Sequence, residues 1–498
     1  MLRSEPALRA RNTPRSQEIT VVPEQPHPIR LTGPSEAVTN PLCVRSLVTP
    51  SRKGDPLSTS QPDMDIRAGV LITLAAVLVG CSAAEDGTIG QGEDTRTAEP
   101  LAHALPAPRL MRVDPPALDF EQRRRHSEVE QYLANRYREQ GWRIVETTQT
   151  YVGDIVDWLD PTSVPGSQIE PPPKPSPEEL QPAPGASLGL TELDMYPELR
   201  GPQGTIPMLR PSFARYVQEE TEASSVDDFI KRYHVPGMPA GQNRLYAGLG
   251  KKVANKAATS WANAFGGTIE SGTFTLLEMA VLTRGPTPTT THEQVGIALS
   301  RDKVNFGYAD SLLRIQVEFL TAGDQVTGNG VGGWDGIRTG FIAAAGRPYP
   351  PGTVVAPSTI GGIQYEYHFK IQLSGGNWWV AHNENWLGYY PGSLFNLINA
   401  SAEEVLWYGE VYDPTPTSWT WTDMGSGLFA STGWTNASNF RNPSYITPSG
   451  VSYWADGAGN ANPNAGACYT KSNLYSGASP WDRYFYLGGP GGEAPGCD

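Results

Sequence analysis

Along residues 363–373, apolar and polar side chains alternate without a break: Ile363, Tyr365, Tyr367, Phe369, Ile371 and Leu373 against Gln364, Glu366, His368, Lys370 and Gln372. A period of two puts the two sets on opposite faces, so the run predicts a half-buried β-strand. Shorter runs predict strands at 274–282, 295–299, 312–320, 378–381, 405–412 and 483–487. Gly and Pro punctuate the intervals, and many short strands joined by turns predict a mainly β fold, an antiparallel β-sandwich. One segment departs from this: residues 120–141 carry charges and space Val129, Leu133 and Tyr137 as a helix would, with Gly141 as its stop.

A different apolar pattern marks the N-terminal part. Residues 68–79 are apolar except for Thr73, too short to cross a bilayer and of the length of a signal-peptide core. They follow Met64-Asp65-Ile66-Arg67 and end in Leu78-Val79-Gly80-Cys81. That ending resembles a bacterial lipobox, in which the Cys81 thiol would be acylated and anchor an exported protein to the membrane. Residues 64–80 are therefore expected to be a lipoprotein-type signal peptide. Residues 1–63, rich in Pro, Arg and Ser, are expected to be a non-native or disordered leader ahead of a start at Met64. Residues 81–118 read as a flexible tether.

Composition narrows the function classes. With 53 Gly, 45 Pro and a formal charge of -14, and no cluster of Lys and Arg interleaved with aromatics, the chain is not expected to bind nucleic acid. His292-Glu293 begins a zinc-protease helix motif, but the second His position is Gly296 and the context is a strand. Gly185-Ala186-Ser187-Leu188-Gly189 matches the nucleophile-elbow pattern in a Pro-rich segment with no strand before it. Met424-Gly425-Ser426-Gly427 reads as a structural turn. No metal or cofactor is implied, and a monomer is expected.

The aromatic motifs carry more. Gly376-Asn377-Trp378-Trp379, Leu387-Gly388-Tyr389-Tyr390-Pro391 and Trp407-Tyr408-Gly409-Glu410-Val411 occur in that order. They resemble the neprosin family of secreted glutamic peptidases, and so do Gly153-Asp154-Ile155-Val156-Asp157, Gly204-Thr205-Ile206-Pro207, Cys468-Tyr469 and the run Phe485-Tyr486-Leu487-Gly488-Gly489-Pro490-Gly491 before Cys497. The resemblance implies a small α+β pro-domain at 119–170, a Pro-rich linker at 171–200 suited to activating cleavage, and a catalytic β-sandwich at 201–498. In an exported domain Cys468 and Cys497 are the simplest disulfide pair, which closes a loop worth about 3 kcal/mol in the chain-entropy model.

Peptide hydrolysis by side chains alone needs a base for water and a group that stabilises or protonates the oxyanion. The resemblance gives Glu410 as one of the two. Its partner falls in His292-Glu293-Gln294-Val295-Gly296-Ile297, where the family pattern E-x-G-W lands on Gln294. Strand parity puts Gln294 with Gly296, Ala298 and Ser300, while Glu293 sits with Val295, Ile297 and Leu299. Either Gln294 pairs with Glu410, as Gln pairs with Glu in the eqolisin peptidases, or a bulge brings in Glu293, or the site is degenerate. The resemblance further implies that aromatics, with Trp379, Tyr390, Trp407 and Tyr408 as candidates, line a cleft for Pro-containing peptides, and because two carboxylate-based groups sharing a water commonly work best in acid an acidic optimum is expected. The alternative is a non-catalytic β-sandwich module binding carbohydrate or peptide at the cell surface.

Overall fold

The computed structural model describes residues 118–498 apart from 211–242, 286–291, 303–310, 322–331, 335–339, 414–419, 462–465, 494–496 and 498. The leader, signal segment, tether and Cys81 lie outside the described residues. The first element is helix α1 (Phe120–Glu139), closed where Gly141 takes a φ of 73°, a left-handed value that favours glycine at a helix end. A three-stranded antiparallel sheet follows, from β1 (Ile144–Gln149), β2 (Ile155–Leu159) and β4 (Ile206–Arg210), in the order β1-β2-β4. Strand β4 comes from the segment expected to open the catalytic region and pairs along the whole of β2.

Two larger sheets form the sandwich. The seven-stranded sheet has the order β10-β9-β8-β7-β15-β5-β18, built from β5 (Asn243–Asn255), β7 (Phe274–Thr283), β8 (Glu293–Asp302), β9 (Arg314–Leu320), β10 (Gly332–Trp334), β15 (Ala402–Asp413) and β18 (Gly459–Asn460). The eleven-stranded sheet runs β11-β14-β13-β12-β6-β16-β21-β19. Its strands are β6 (Ala257–Asn263), β11 (Ile342–Ala343), β12 (Gln364–Ser374), β13 (Asn377–His382), β14 (Asn385–Pro391), β16 (Ser438–Ile446), β19 (Thr470–Lys471) and β21 (Arg483–Gly488). Attached to it are β3 (Ala186–Leu188), β17 (Ser452–Trp454) and β20 (Tyr475–Ser476). Among the described strands of the sandwich the pairings are antiparallel, except that β3 joins β12 in parallel.

The core fills the space between the sheets. Leu277, Met279, Val281, Ile297, Leu299, Val317, Phe319, Val405, Trp407 and Val411 from the first sheet meet Tyr367, Phe369, Ile371, Trp378, Val380 and Tyr390 from the second. Alternation then sends the intervening residues of each strand to the outer faces.

Strand β12 lies one residue further along than the expected 363–373 and is buried on both sides. Gln364, Glu366, His368 and Lys370, expected to face water, are each under 9% exposed. The cause is the segment before β3. Glu366 accepts a hydrogen bond from the backbone N–H of Ala183 at 2.7 Å, and Arg441 donates to the carbonyl of Gln181 at 3.0 Å. Lys370 pairs with Glu179 at 3.3 Å. The Pro-rich stretch thus lies across the outer face of the eleven-stranded sheet. Cys468 and Cys497 form a disulfide with their Cα atoms 4.8 Å apart, pinning the C-terminal segment near β19. Met424 to Gly427 is a turn with Gly425 at φ 66° and Gly427 at φ 80°, and the Ser426 hydroxyl accepts the backbone N–H of Leu428 there.

Candidate active site

The site grows from strand register. In an antiparallel sheet directly opposed residues share a face. Glu410 on β15 stands opposite Tyr246 on β5 and Leu276 on β7, and Tyr408 stands opposite Glu278. Glu278 in turn faces Ala298 on β8, and Gly296 faces Glu318 on β9. Five adjacent strands therefore present Arg244, Tyr246, Tyr408, Glu410, Glu278, Gln294 and Glu318 on the outer face of the seven-stranded sheet.

Their contacts form two linked groups. Arg244 Nη1 donates to Glu410 Oε1 at 2.8 Å, and the Tyr246 hydroxyl donates to the same oxygen at 3.3 Å. The rings of Phe274 and Tyr412, stacked 5.1 Å apart, each lie about 6 Å from the Arg244 guanidinium, a cation–π seat that fixes its direction. In the second group Gln294 Nε2 donates to Glu278 Oε1 at 3.0 Å and to Glu318 Oε1. Gln294 Oε1 is 2.9 Å from His292 Nε2, and the Tyr408 hydroxyl donates to Glu278 Oε2 at 2.7 Å. Tyr408 also packs on Tyr246, ring centres 5.8 Å apart, and so bridges the two groups.

Burial sets the electrostatics. Glu278 is 1% exposed, Glu410 3% and Glu318 5%, and a charged carboxylate out of water favours its neutral form. Burial pushes Glu278 well above the usual carboxylate range, reinforced by the adjacent Glu318, to which it is hydrogen-bonded, and by Glu410. Glu318 is raised by burial too, but its bonds to Glu278 and Gln294 and the field of Arg244 oppose the rise. For Glu410 burial raises the pKa, Arg244 lowers it and Glu318 raises it. Arg244 opposes the rise at Glu318 and Glu410, while at Glu278 the opposing group is the Tyr408 hydroxyl.

Gln294 lies on the face that strand parity assigned to it, and its hydrogen bonds run to Glu278 and Glu318 rather than to Glu410. Glu293 points the other way. Its carboxylate accepts the backbone N–H groups of Asn396, Leu397 and Ile398 at 2.6 to 3.1 Å, a clamp on the chain between β14 and β15. Of the four candidate aromatics, Tyr408 shares the carboxylate face. Trp407 and Tyr390 fill the space between the sheets, Tyr390 against Phe319 and Phe341. Trp379 packs with Trp386, Tyr389, Ala344 and Ala381 in a separate cluster. Glu278 and Glu318 were not among the candidates. Each is a lone carboxylate within an apolar strand run, and on β9 Arg314, Gln316 and Glu318 alternate with Ile315, Val317 and Phe319, a parity signal that a sequence can carry.

Residues 294–490 match the model of the Neprosin family, a span that begins at Gln294 and includes Glu318, Glu410 and the first disulfide cysteine. The resemblance read from the aromatic motifs is thereby shown over that span. Among solved structures, scytalido-glutamic peptidase with a peptide-based transition state analogue is similar at 9% identity, with half of this chain and 99% of that one covered and a TM-score of 0.27. SCP-B, an eqolisin peptidase in complex with the tripeptide Ala-Ile-His, is similar at 10% identity over 49% of this chain and 98% of that one, TM-score 0.25. The carbohydrate-binding module CBM66 from Bacillus subtilis is similar at 10% identity over 32% of this chain and 70% of that one, TM-score 0.16.

Proposed function

We propose that this chain is a glutamic-type endopeptidase that hydrolyses Pro-containing peptides in acid. One observation carries the reading: three buried carboxyls and one carboxamide share a strand face, and Arg244 is the cation that meets Glu410 there. Such an excess of acid over base keeps at least one carboxyl protonated while another, beside the cation, ionises more easily. Glu410, held by Arg244 and Tyr246, is the general base for the attacking water. A protonated carboxyl of the neighbouring group supplies the acid that peptide cleavage needs. The Neprosin match supports the peptidase class, and the motif resemblance supports the preference for proline.

The same proposal assigns residues 119–170 the part of a pro-domain. Its β2 lies against β4, and Asp154 forms an ion pair of 2.6 Å with Arg314 of β9, both side chains 2% exposed. Export, with anchoring through Cys81, completes the reading. The test is cleavage of a Pro-containing peptide by the full chain across pH, before and after limited proteolysis within 171–200. Activity that peaks in acid supports the proposal, and absence of cleavage at every pH with both forms contradicts it.

A further inference from the structure

The geometry points to Glu278 as the general acid of the site, with Gln294 as a positioning residue that holds the Glu278–Glu318 pair. This inference rests on the peptidase reading and deepens it. Three observations carry it.

First, Gln294 is spoken for. Both of its amide contacts end on carboxyl oxygens, at Glu278 and at Glu318, so one NH2 group ties the pair together, and its own carbonyl faces His292. An amide held at both ends is a clamp, unlike a free donor aimed at an oxyanion. Second, Glu278 has a built seat. A Cβ added at Gly296 would lie 2.1 Å from Glu278 Oε1 and 2.8 Å from Glu318 Cγ, so the glycine of the E-x-G-like pattern is the space into which this carboxyl folds. Third, the register brings Glu278 to the base. Its partner on β15 is Tyr408, two residues from Glu410 on the same face, whereas Gln294 pairs with Leu282, farther along the strand. Tyr408, donating to Glu278 and packed on the Tyr246 that donates to Glu410, spans the interval.

The reaction balances with these groups alone. Glu410 carboxylate takes a proton from water as the water oxygen bonds to the scissile carbonyl carbon, and the carbonyl oxygen takes the proton of Glu278. The neutral diol then expels the amine: the C–N bond breaks, the nitrogen takes the proton held by Glu410, and a diol hydroxyl returns its proton to Glu278. Glu318 stays an acceptor throughout and, by its charge, keeps the proton on Glu278 between turnovers.

The test is a set of pH–rate profiles on a Pro-containing peptide with the full chain, for wild type, Glu278→Gln, Glu318→Gln and Gln294→Ala, with thermal unfolding to confirm that each is folded. Glu278→Gln should lose about 10²–10⁴-fold in kcat. Glu318→Gln should remain active in acid but lose activity at lower pH than wild type, because the charge that holds the Glu278 proton is gone. Gln294→Ala should lose less than Glu278→Gln, and its alkaline limb should move to higher pH because the hydrogen bond that Gln294 donates to Glu278 itself, which favours the ionised form of that carboxyl, is lost. The assignment is overturned if Glu278→Gln keeps near wild-type activity while Gln294→Ala abolishes it, the behaviour of an amide oxyanion donor. A wild type inert at every pH sinks the peptidase reading and the assignment together, and so differs from the first failure.

Discussion

The two outer faces of the sandwich are both polar and both buried, yet their charges are arranged in opposite ways. On the eleven-stranded sheet the buried cations Arg441 and Lys370 each meet a counter-charge. Arg441 binds both oxygens of Glu366, at 3.0 and 2.8 Å, with the two side chains essentially inaccessible. The same guanidinium sits 4.8 Å over the Trp261 ring, and Lys370 meets Glu179. On the seven-stranded sheet three carboxyls crowd one face, where Arg244 favours the charged forms of Glu318 and Glu410 while Glu278 is pushed up by burial and by both neighbours. Paired buried charges brace a fold, whereas an uncompensated set forces protons to remain bound at pH values where carboxyls are normally ionised. The first arrangement is what a strap across a sheet requires, and the second is what acid catalysis requires.

This contrast can be broken at several points. Glu410→Gln should reduce peptide cleavage by about 10²–10⁴-fold with little change in thermal stability, read from kcat and Tm together. On the opposite face Glu366→Ala leaves Arg441 buried without its partner, and unfolding in urea should register a loss of about 3–5 kcal/mol with the pH profile of any activity unmoved. Reducing the Cys468–Cys497 bridge, or Cys497→Ser, should cost about 3 kcal/mol by the same assay.

The smallest effect is the most diagnostic of the carboxyl excess. A carboxyl whose pKa is raised on folding stabilises the native state below its unfolded pKa and loses that contribution as pH rises through the folded value. Glu278 is shifted in that direction. Wild type should therefore gain stability as pH falls from neutral towards 4.5, the ordinary value for this group. Glu278→Gln should be the more stable protein at neutral pH, with the difference closing in acid. Melting curves across pH check this, and a mutant that is less stable at neutral pH contradicts it.

Much of the fold was legible because burial imposes a period on each strand. The predicted strands at 274–282, 295–299, 378–381, 405–412 and 483–487 fall within observed strands that extend by a few residues, and the helix ends beside Gly141 as its φ requires. Parity also gave the correct faces for Gln294 and Glu293. Burial of the polar side of β12 was hidden, since it depends on a segment nearly two hundred residues earlier in the chain folding over it. For the same reason Glu278 and Glu318 went unseen as a pair: their meeting depends on the register between β7, β8 and β9 and on the absence of a side chain at Gly296. Neither is a local property. The aromatic motifs drew attention for their composition, yet Trp407 and Tyr390 serve the interior, where large rings fill the space between sheets.

The measurement that bears most directly on the carboxylate face is the rate of cleavage of a Pro-containing peptide from pH 3 to 8 by wild type and by Glu410→Gln, each activated in the same way. An acid-centred optimum in the wild type that all but vanishes in Glu410→Gln, with both proteins equally folded, is the expected result. Equal activity in the two proteins would contradict the role given to Glu410 and to the face it occupies.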